Sequence, residues 1–292
     1  MFAIAGATGN TGGAAADALL RAGEKVRVIV RDVKKGDAWR ARGADVAVAS
    51  LDDAAALARA LDGTRGAYLL LPPLYTAEDV LATQRQTATA IATAVANGNV
   101  PHVVFLSSIG AQHAAGVGPI RALHDAEQRL RATRKAVTIL RPPYFMENWV
   151  GVLGAVKGKG ILPSFLPIDQ KIETIATADI GEIAARLLRE PAPAEARVVE
   201  IGGPDRLSPR DVARQLGVAL GRPVQPVLLP LDQAVPTFTG IGLSMTAAEL
   251  FREMYEGVAR GLVAYEQPGA PQIRGRRQPA DVLGPMLADL RA

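Results

Sequence analysis

The stretch that decides the fold is GATGNTG, residues 6–12, which lies between the apolar run FAIA at residues 2–5 and a run of helix-forming residues that ends at Gly23. A second run, rich in valine and isoleucine, follows at residues 25–31. Strand, helix and strand within about 30 residues have the size of one βαβ unit. The sequence therefore predicts that this turn joins the first strand of a parallel sheet to the first helix.

The three glycines of the turn have separate physical uses. Gly6 permits a tight bend, Gly9 lets a ligand approach the backbone closely, and Gly12 lets the helix pack against the strand. The free N–H groups and the positive dipole end of the helix suit a pyrophosphate. The other polar residues of the turn, which would add hydroxyl or amide donors, are Thr8, Asn10 and Thr11. Together these residues predict a dinucleotide-binding site.

The end of the second strand indicates which dinucleotide binds. An acidic residue at this place would hydrogen-bond the ribose hydroxyls of NAD. The chain has Arg31 there, 19 residues beyond Gly12, followed by Asp32, with Lys34 and Lys35 close by. A guanidinium pairs well with a 2′-phosphate, so NADP(H) is favoured over NAD(H). The alternative is that Arg31 is a solvated strand-end charge and Asp32 binds the ribose.

The alternation of strands and helices continues along the chain. Further apolar runs typical of strands lie at residues 45–50, 66–73, 102–108, 136–142 and 197–203, and helical patterns lie at 51–63, 77–96, 120–133 and 177–191. Such alternation requires a parallel sheet with helices on both faces. We expect an α/β fold, a Rossmann-type doubly wound sheet formed by residues 1–145 and completed by about 171–203. A smaller, mostly helical lobe would contain residues 146–170 and 204–292.

Composition excludes several classes of protein. The chain has 292 residues, no cysteine and only three histidines, which makes a metal site improbable. No apolar run is long enough to span a bilayer, and residues 1–20 lack the basic start of a signal peptide, so we expect a cytoplasmic protein without a membrane partner. The net charge is +4, but the basic residues are scattered except in IRGRRQ at residues 273–278. We expect that segment to be a solvated tail and no nucleic acid to bind.

Seven segments in fixed order carry a family resemblance: GATGNTG, VIVRD, SLDDAAALARALDG, LLLPP, VVFLSSIGA, TILRPPYFMEN and TADIGEIAARLL. With them the chain resembles the NmrA-like family of atypical short-chain dehydrogenases/reductases, from Phe2 to about Leu262. The branch it resembles most contains bacterial proteins akin to NADPH:quinone oxidoreductases. The resemblance implies NADPH lying across the carboxyl ends of the strands and a substrate cleft beside the small lobe.

The resemblance also implies roles for individual residues. The pyrophosphate would lie on the residues of the glycine turn, namely Gly6, Thr8, Gly9, Asn10, Thr11 and Gly12. The 2′-phosphate would bind Arg31. The residues expected to run under the cofactor or to approach the nicotinamide and substrate are Leu71, Pro72, Pro73, Ser107, Ser108, Pro142, Pro143 and Tyr144. The family often has aspartate where this chain has Ser50, so the adenine contact there is open, with Asp52 as a substitute.

Catalytic residues depart from the superfamily pattern. Related enzymes use a tyrosine followed four residues later by a lysine, which lowers the tyrosine pKa for proton donation. The corresponding region here has Ile120 and His124 near those positions. His124 would assist as proton donor or by bonding the cofactor ribose, or it is a helix-surface histidine without a role. Ser108 or Tyr144 would orient the substrate oxygen.

Two functions fit this inventory. The first is an NADPH-dependent oxidoreductase that transfers hydride to a quinone or a similar electron-poor apolar carbonyl substrate, which needs little acid catalysis from the protein. The second is an NADP(H)-binding redox-sensing regulator without turnover, which would have a protein partner. A third hypothesis is an isomerase or dehydratase, but such an enzyme normally needs an acid–base pair, and the missing tyrosine counts against it. We expect a monomer or homodimer and favour the reductase. An open apolar site facing the nicotinamide would distinguish a reductase from a sensor.

Overall fold

Strands and helices alternate along most of the chain in a computed structural model that describes residues 1–267, 271 and 273–289. The strands are β1 (Phe2–Ala5), β2 (Val26–Val30), β3 (Asp45–Val48), β4 (Gly66–Leu70), β5 (Val103–Leu106), β6 (Val137–Arg141), β7 (Tyr144–Phe145), β8 (Ile161–Ser164), β9 (Ile172–Ile175), β10 (Arg197–Gly202), β11 (Arg206–Leu207), β12 (Gln225–Leu228) and β13 (Ile273–Arg274). The helices are α1 (Asn10–Arg21), α2 (Asp37–Arg40), α3 (Ala54–Leu61), α4 (Val80–Asn97), α5 (Ile120–Ala132), α6 (Leu153–Lys159), α7 (Thr177–Arg189), α8 (Pro209–Leu220), α9 (Ala234–Gly240), α10 (Met245–Ala259) and α11 (Pro279–Asp289).

Eight of these strands form one parallel sheet, in the order β13-β10-β6-β5-β4-β1-β2-β3. The order reverses between β1 and β4, since β1 pairs with both β2 and β4. A reversal of this kind opens a crevice at the carboxyl ends of the strands, where ligands bind in doubly wound folds. The predicted Rossmann-type fold is confirmed.

Apolar cores cover both faces of the sheet. On one face α1 and α7 pack beside each other, with Leu19 and Ile180 fully buried against the sheet. On the other face α3, α4 and α5 contribute a second buried cluster. The contact between α1 and α7 depends on Gly181, because a Cβ there would lie 2.4 Å from the Ala14 Cβ and 2.7 Å from the Thr11 carbonyl oxygen. Side-chain volume at that one position would push the two helices apart.

A third core belongs to the later part of the chain. It joins α6, α8 and α11, and contains Trp149, Leu216 and Leu283. Two small sheets that the sequence did not indicate accompany it, one of β11, β9 and β7 and one of β12 and β8. Strand β13 lies within the range expected for the small lobe, yet it extends the main sheet by pairing with β10. Two-residue strands such as β7, β11 and β13 are too short to show a period-2 pattern.

The basic segment at residues 273–278 is docked onto the fold, so the expectation of a solvated tail was wrong. Arg277 forms ion pairs with Asp179 and Glu182 of α7. The Asp179 carboxylate also accepts hydrogen bonds from the backbone N–H groups of Arg276, at 2.9 Å, and Arg277, at 3.0 Å. Buried Asp179 requires such partners, since an unpaired buried carboxylate is costly. In the described part of the chain, no helix is long and apolar enough to cross a membrane.

The buried histidine before β5 predicts how stability depends on pH. His102 is 2% exposed, and its Nε2 lies 2.9 Å from the Thr138 Oγ1 on β6. Burial, together with the nearby Arg197 cation, lowers the pKa of His102 from 6.5 to about 4, although Glu190 opposes the shift. The folded state therefore holds a neutral ring where the unfolded chain binds a proton. We expect the free energy of unfolding to fall by about 3 kcal/mol as the pH drops from about 6.5 to about 4.

Urea unfolding across that pH range tests the prediction in the wild type and in His102→Gln. The glutamine variant keeps a polar side chain that does not titrate, so it should lose this part of the pH dependence whatever its absolute stability. If the free energy of unfolding of the two proteins depended on pH in the same way, the dependence could not be assigned to His102.

Candidate cofactor and substrate site

A cavity of about 1260 Å³ lies at the carboxyl ends of the strands of the main sheet. Its walls come from the turns after β1, β2, β3, β4 and β5, and from α9, α10 and the segment at residues 261–267. The predicted site residues that line it are Gly6, Thr8, Gly9, Asn10, Thr11, Arg31, Ser50, Asp52, Leu71, Pro72, Pro73, Ser107, Ser108, Pro143 and Tyr144. The topology thus brings residues from distant parts of the sequence to one cavity.

The glycine turn has the conformation that its sequence indicates. Gly6 adopts a φ of 65°, and the Gly9 N–H donates to the Gly6 carbonyl oxygen at 2.9 Å, which closes the bend. Gly9 is the N-cap of α1 and has no side chain to occupy the first N–H groups of the helix. These donors suit an anionic ligand.

Gly12 lies under the turn and does not line the cavity. A Cβ at Gly12 would lie 2.4 Å from the Gly6 oxygen and 2.5 Å from the Ala5 oxygen. The Cα of Gly12 therefore lies between helix and strand, where packing requires glycine, and the contact of its backbone with the pyrophosphate stays a prediction.

The end of β2 carries positive charge into the cavity. Arg31 and Lys35 both line it and are exposed. Asp32 instead caps the 3₁₀ turn at residues 33–36, where its Oδ1 accepts from the Lys34 N–H at 3.0 Å. Asp32 is absent from the cavity lining. The two side chains that face a ligand at this strand end are thus cations.

A polar side chain that the sequence analysis missed lies on α4. Gln84 is 5% exposed and lines the cavity, and its Nε2 makes a long contact of 3.4 Å with the Pro72 carbonyl oxygen. Within the described residues the Gln84 Oε1 is buried without a hydrogen-bond partner. An orphaned amide oxygen at a cavity wall costs free energy unless a ligand donates to it. The sequence feature that could have predicted Gln84 as a site residue is a glutamine on the buried face of an alanine-rich helix.

The hydroxyl proton of Ser107 is in a hydrogen bond within the protein and is not free for a ligand in the cavity. Its Oγ donates to the Glu127 Oε1 at 2.5 Å, and both residues are buried. Arg141 holds Glu127 in bidentate fashion, with Nε–Oε1 at 2.8 Å and Nη2–Oε2 at 2.6 Å. The Ser107 oxygen can therefore only accept from a ligand. The Ser108 hydroxyl group likewise donates within the protein, to the Ile109 carbonyl oxygen at 2.9 Å.

The same arginine holds the C-terminal wall of the cavity. Arg141 Nη1 donates to the Glu266 Oε2 at 2.6 Å, and the Glu266 N–H donates to the buried Glu200 Oε1 at 2.8 Å. Ala264 is held by the Gly110 N–H at 3.2 Å. Residues 264–267, which line the cavity, are thus tied to the main sheet by an ion-pair network in which Arg141 and Glu200 are buried and Glu266 is exposed.

Two other predicted residues are not brought to the cavity. His124 has its Nδ1 2.8 Å from the Ala111 carbonyl oxygen and is absent from the lining, whereas its helix neighbours Ile120 and Leu123 are part of it. Position 124 is only about 40° from position 120 around the helix, so the absence of His124 from the lining goes with the contact of its ring with the Ala111 carbonyl oxygen and does not follow from the helical period. Pro142 is buried and absent from the cavity lining, and its carbonyl oxygen accepts from the Ile109 N–H at 3.0 Å. The structure supports neither predicted contact.

The far wall of the cavity is aromatic. Tyr75 meets Phe251 edge-on with ring centroids 5.0 Å apart, Phe251 stacks on Phe238 at 5.0 Å, and Phe238 stacks on Tyr255 at 6.1 Å. All four rings line the cavity. The sequence analysis missed this wall, although an aromatic pair at i, i+4 spacing in α10, Phe251 and Tyr255, was a usable signal.

Tyr144 lies between the sheet and the aromatic wall. Burial, followed by the neighbouring Tyr255, raises the pKa of Tyr144 well above its usual value, and Asn148 opposes the shift. At neutral pH it is a protonated phenol. The side chains that follow it differ in location: Phe145 lines the cavity, while Met146 and Trp149 are buried.

Comparison with known proteins agrees with this geometry. The model of the NmrA-like family matches residues 1–263. The NAD(P)H azoreductase of Xenophilus azovorans is 29% identical over 277 residues, covering 94% of this chain and 93% of that protein, and the quinone oxidoreductase 2 of Escherichia coli strain K12 is 26% identical over 265 residues, covering 89% of each. The crystal structure of an Escherichia coli NADPH-dependent quinone oxidoreductase with NADPH superposes with a TM-score of 0.83 at 22% identity, covering 98% of this chain and 99% of that one. The expected family is confirmed, and the chain belongs to the NmrA-like family.

Proposed function

We propose that this chain is an NADPH-dependent reductase whose acceptor is a quinone or a similar electron-poor, apolar substrate. That it is an NAD(P)H-dependent oxidoreductase follows from its family and its relatives, which are named as NAD(P)H azoreductase and quinone oxidoreductase. The preference for NADPH and the substrate class are the parts that we propose.

The observation that carries the proposal is the cavity itself. Its volume of about 1260 Å³ exceeds the roughly 300–1,000 Å³ of a typical single-ligand site. One end has the glycine turn and the other has the aromatic wall, so there is room for a dinucleotide and for a second, flat apolar molecule. A sensor without turnover has no need for such open apolar space.

The residues present fit a phosphorylated dinucleotide. The first turn of α1 offers backbone donors to a pyrophosphate, and Arg31 with Lys35 offers two cations to a 2′-phosphate. The orphaned Gln84 oxygen accepts from a ligand N–H or O–H, and the Ser107 oxygen can do the same. When bound, NADPH supplies the hydride. The aromatic wall orients the acceptor and excludes water.

The first experiment follows absorbance of NADPH and of NADH with purified protein and a panel of quinones and azo compounds, while cofactor fluorescence reports binding. We expect acceptor-dependent oxidation that prefers NADPH. Tight NADPH binding with no turnover on any acceptor would instead favour the alternative, a redox-sensing regulator with a protein partner.

A further inference from the structure

Two cations at the small sheet of β11, β9 and β7 line the cavity. Lys171 directly precedes β9, and Arg206 begins β11, which pairs with β9 in antiparallel register. Both residues are exposed, so they lie where the cavity opens to solvent. The Arg206 Nη2 donates to the Lys171 carbonyl oxygen at 2.8 Å, which brings the guanidinium beside residue 171. The cavity therefore has a second pair of cations besides Arg31 and Lys35.

The carboxylate beside this pair leaves it with positive charge. Glu173 also lines the cavity, but its carboxylate lies between two arginines. Its Oε1 is 3.8 Å from the Arg206 Nε, and its Oε2 is 3.6 Å from the Arg274 Nη1. Among the described residues, no carboxylate forms an ion pair with the Lys171 ammonium group. This part of the cavity wall therefore carries a net positive charge.

A second carboxylate near Lys171 has partners of its own. Hydrogen bonds from Ser208, opposed by burial and followed by the charge of Lys171, lower the pKa of Asp211. The Asp211 carboxylate accepts from the Ser208 N–H at 3.1 Å and forms an ion pair with Arg214 at 3.3 Å. Asp211 is absent from the cavity lining, whereas Lys171 is part of it. The ammonium group is thus available to a ligand in the cavity.

The segment that carries Lys171 is fixed to the aromatic wall. The Nε2 of Gln170 donates at 2.9 Å to the carbonyl oxygen of Val258, which follows Tyr255 by three residues in α10. Earlier in the same segment, the ring of Phe165 lies 5.4 Å from that of Tyr255, measured between centroids. Gln170, Tyr255 and Val258 all line the cavity. The cations therefore adjoin the surface on which an aromatic acceptor is proposed to lie.

We propose that Lys171 and Arg206 form an anion subsite, and that the acceptor is an aromatic molecule that bears a sulfonate, carboxylate or phosphate group. This inference rests on the proposed reductase function and narrows its substrate class to ring systems with an anionic substituent. The guanidinium offers planar N–H donors to the oxygens of that substituent, and the ammonium group adds a compact charge. The aromatic wall binds the rings by stacking. Together the two contacts fix the orientation of the acceptor in the cavity.

The cofactor has other cations for its phosphates. We propose the first turn of α1 for the pyrophosphate and Arg31 with Lys35 for the 2′-phosphate, and these residues follow β1 and β2. Lys171 and Arg206 lie instead in segments that come after β6 in the chain. Removal of the Lys171 charge should therefore leave the affinity for NADPH as it is in the wild type.

The first test measures binding without turnover. The protein is loaded with NADP⁺, and dissociation constants are measured for naphthalene-2-sulfonate and for naphthalene-2-sulfonamide, which has a similar shape and no charge. We expect Lys171→Gln to bind the sulfonate about 3-fold to 5-fold more weakly than the wild type and the sulfonamide equally well, since exposed ion pairs contribute modestly. Lys171→Arg keeps the charge and should keep the affinity. Salt should weaken binding of the sulfonate alone, because ions screen exposed charges.

Lys159→Gln is the matched control, because Lys159 is an exposed lysine at the end of α6 and lies outside the cavity lining. It should bind both naphthalene compounds as the wild type does. An unchanged ratio of the two dissociation constants in Lys171→Gln would overturn the proposal, and so would a wild type that binds neither compound. A fall in NADPH affinity in Lys171→Gln would assign the cation to the cofactor and would overturn it as well.

The second test compares two quinones in turnover, 1,4-naphthoquinone-2-sulfonate and 2-methyl-1,4-naphthoquinone. In Lys171→Gln we expect the ratio of kcat/KM for the sulfonated quinone to that for the methyl quinone to fall about 3-fold to 5-fold. An equal fall in kcat/KM for both quinones would mean a structural role and would overturn the inference. If the wild type reduces no acceptor, the proposed function fails, while the naphthalene measurements still decide whether the subsite binds an anion.

Discussion

Gly12→Ala is expected to weaken NADPH binding by at least about 100-fold and to lower the free energy of unfolding by about 3 kcal/mol, near the upper end for overpacking a core. The new Cβ would lie 2.4 Å and 2.5 Å from two backbone oxygens, those of Gly6 and Ala5. Neither oxygen can move without disturbing β1 or the turn, so α1 must shift away. The shift displaces the N–H groups that we propose for the pyrophosphate. Urea unfolding and a fluorescence titration with NADPH measure the two effects.

Gly154→Ala is the matched control for the chemical change. Gly154 also lies in a helix, α6, but a Cβ there would meet no atom within 4 Å. Alanine has the higher helix propensity, so this variant should be as stable as the wild type or up to about 1 kcal/mol more stable. Its NADPH affinity should be unchanged. Normal cofactor affinity in Gly12→Ala would refute the view that the close approach of α1 to β1 builds the site.

Arg31→Glu is expected to reverse the choice of cofactor. The substitution removes a guanidinium from the cavity wall and puts a carboxylate where the 2′-phosphate is proposed to lie, beside Lys35. Charge-assisted hydrogen bonds contribute about 1.5–3 kcal/mol each, and the new repulsion adds to the loss. NADPH affinity should fall about 100-fold or more, while NADH affinity should change less than about threefold or rise. Fluorescence titration with both cofactors gives the ratio directly.

A charge-matched variant separates this local effect from a change in net charge. Arg85→Glu makes the same reversal on the exposed surface of α4, outside the cavity lining. It should leave the NADPH to NADH ratio as in the wild type. An equal fall in the affinity for NADPH and for NADH in Arg31→Glu would argue against a 2′-phosphate contact. It would favour the alternative that Asp32 binds the ribose.

Local patterns in the sequence were sufficient for the cofactor half of the cavity. Gly6, Gly9 and Arg31 are within one βαβ unit, so their relative positions follow from strand and helix geometry over about 30 residues. The order of later strands follows from the handedness of parallel crossovers. These short-range rules account for the confirmed fold and for the cavity residues of the first βαβ unit, whereas the predicted residues from 71 to 108 followed from the family resemblance, and Tyr75 and Gln84 were missed.

The sequence by itself determined the parallel sheet, the glycine turn and the cationic end of β2, because each depends on neighbours in the chain. Only the tertiary structure decided that His124 lies outside the cavity lining, that Gln84 lies with an orphaned oxygen at the cavity wall, and that Tyr255 and Tyr144 line the same cavity. Tyr144 and Tyr255 are separated by more than a hundred residues, and they line one cavity because α10 packs over the carboxyl ends of the strands. No local pattern contains that contact, since it arises from burial of apolar surface between elements that are far apart in the chain.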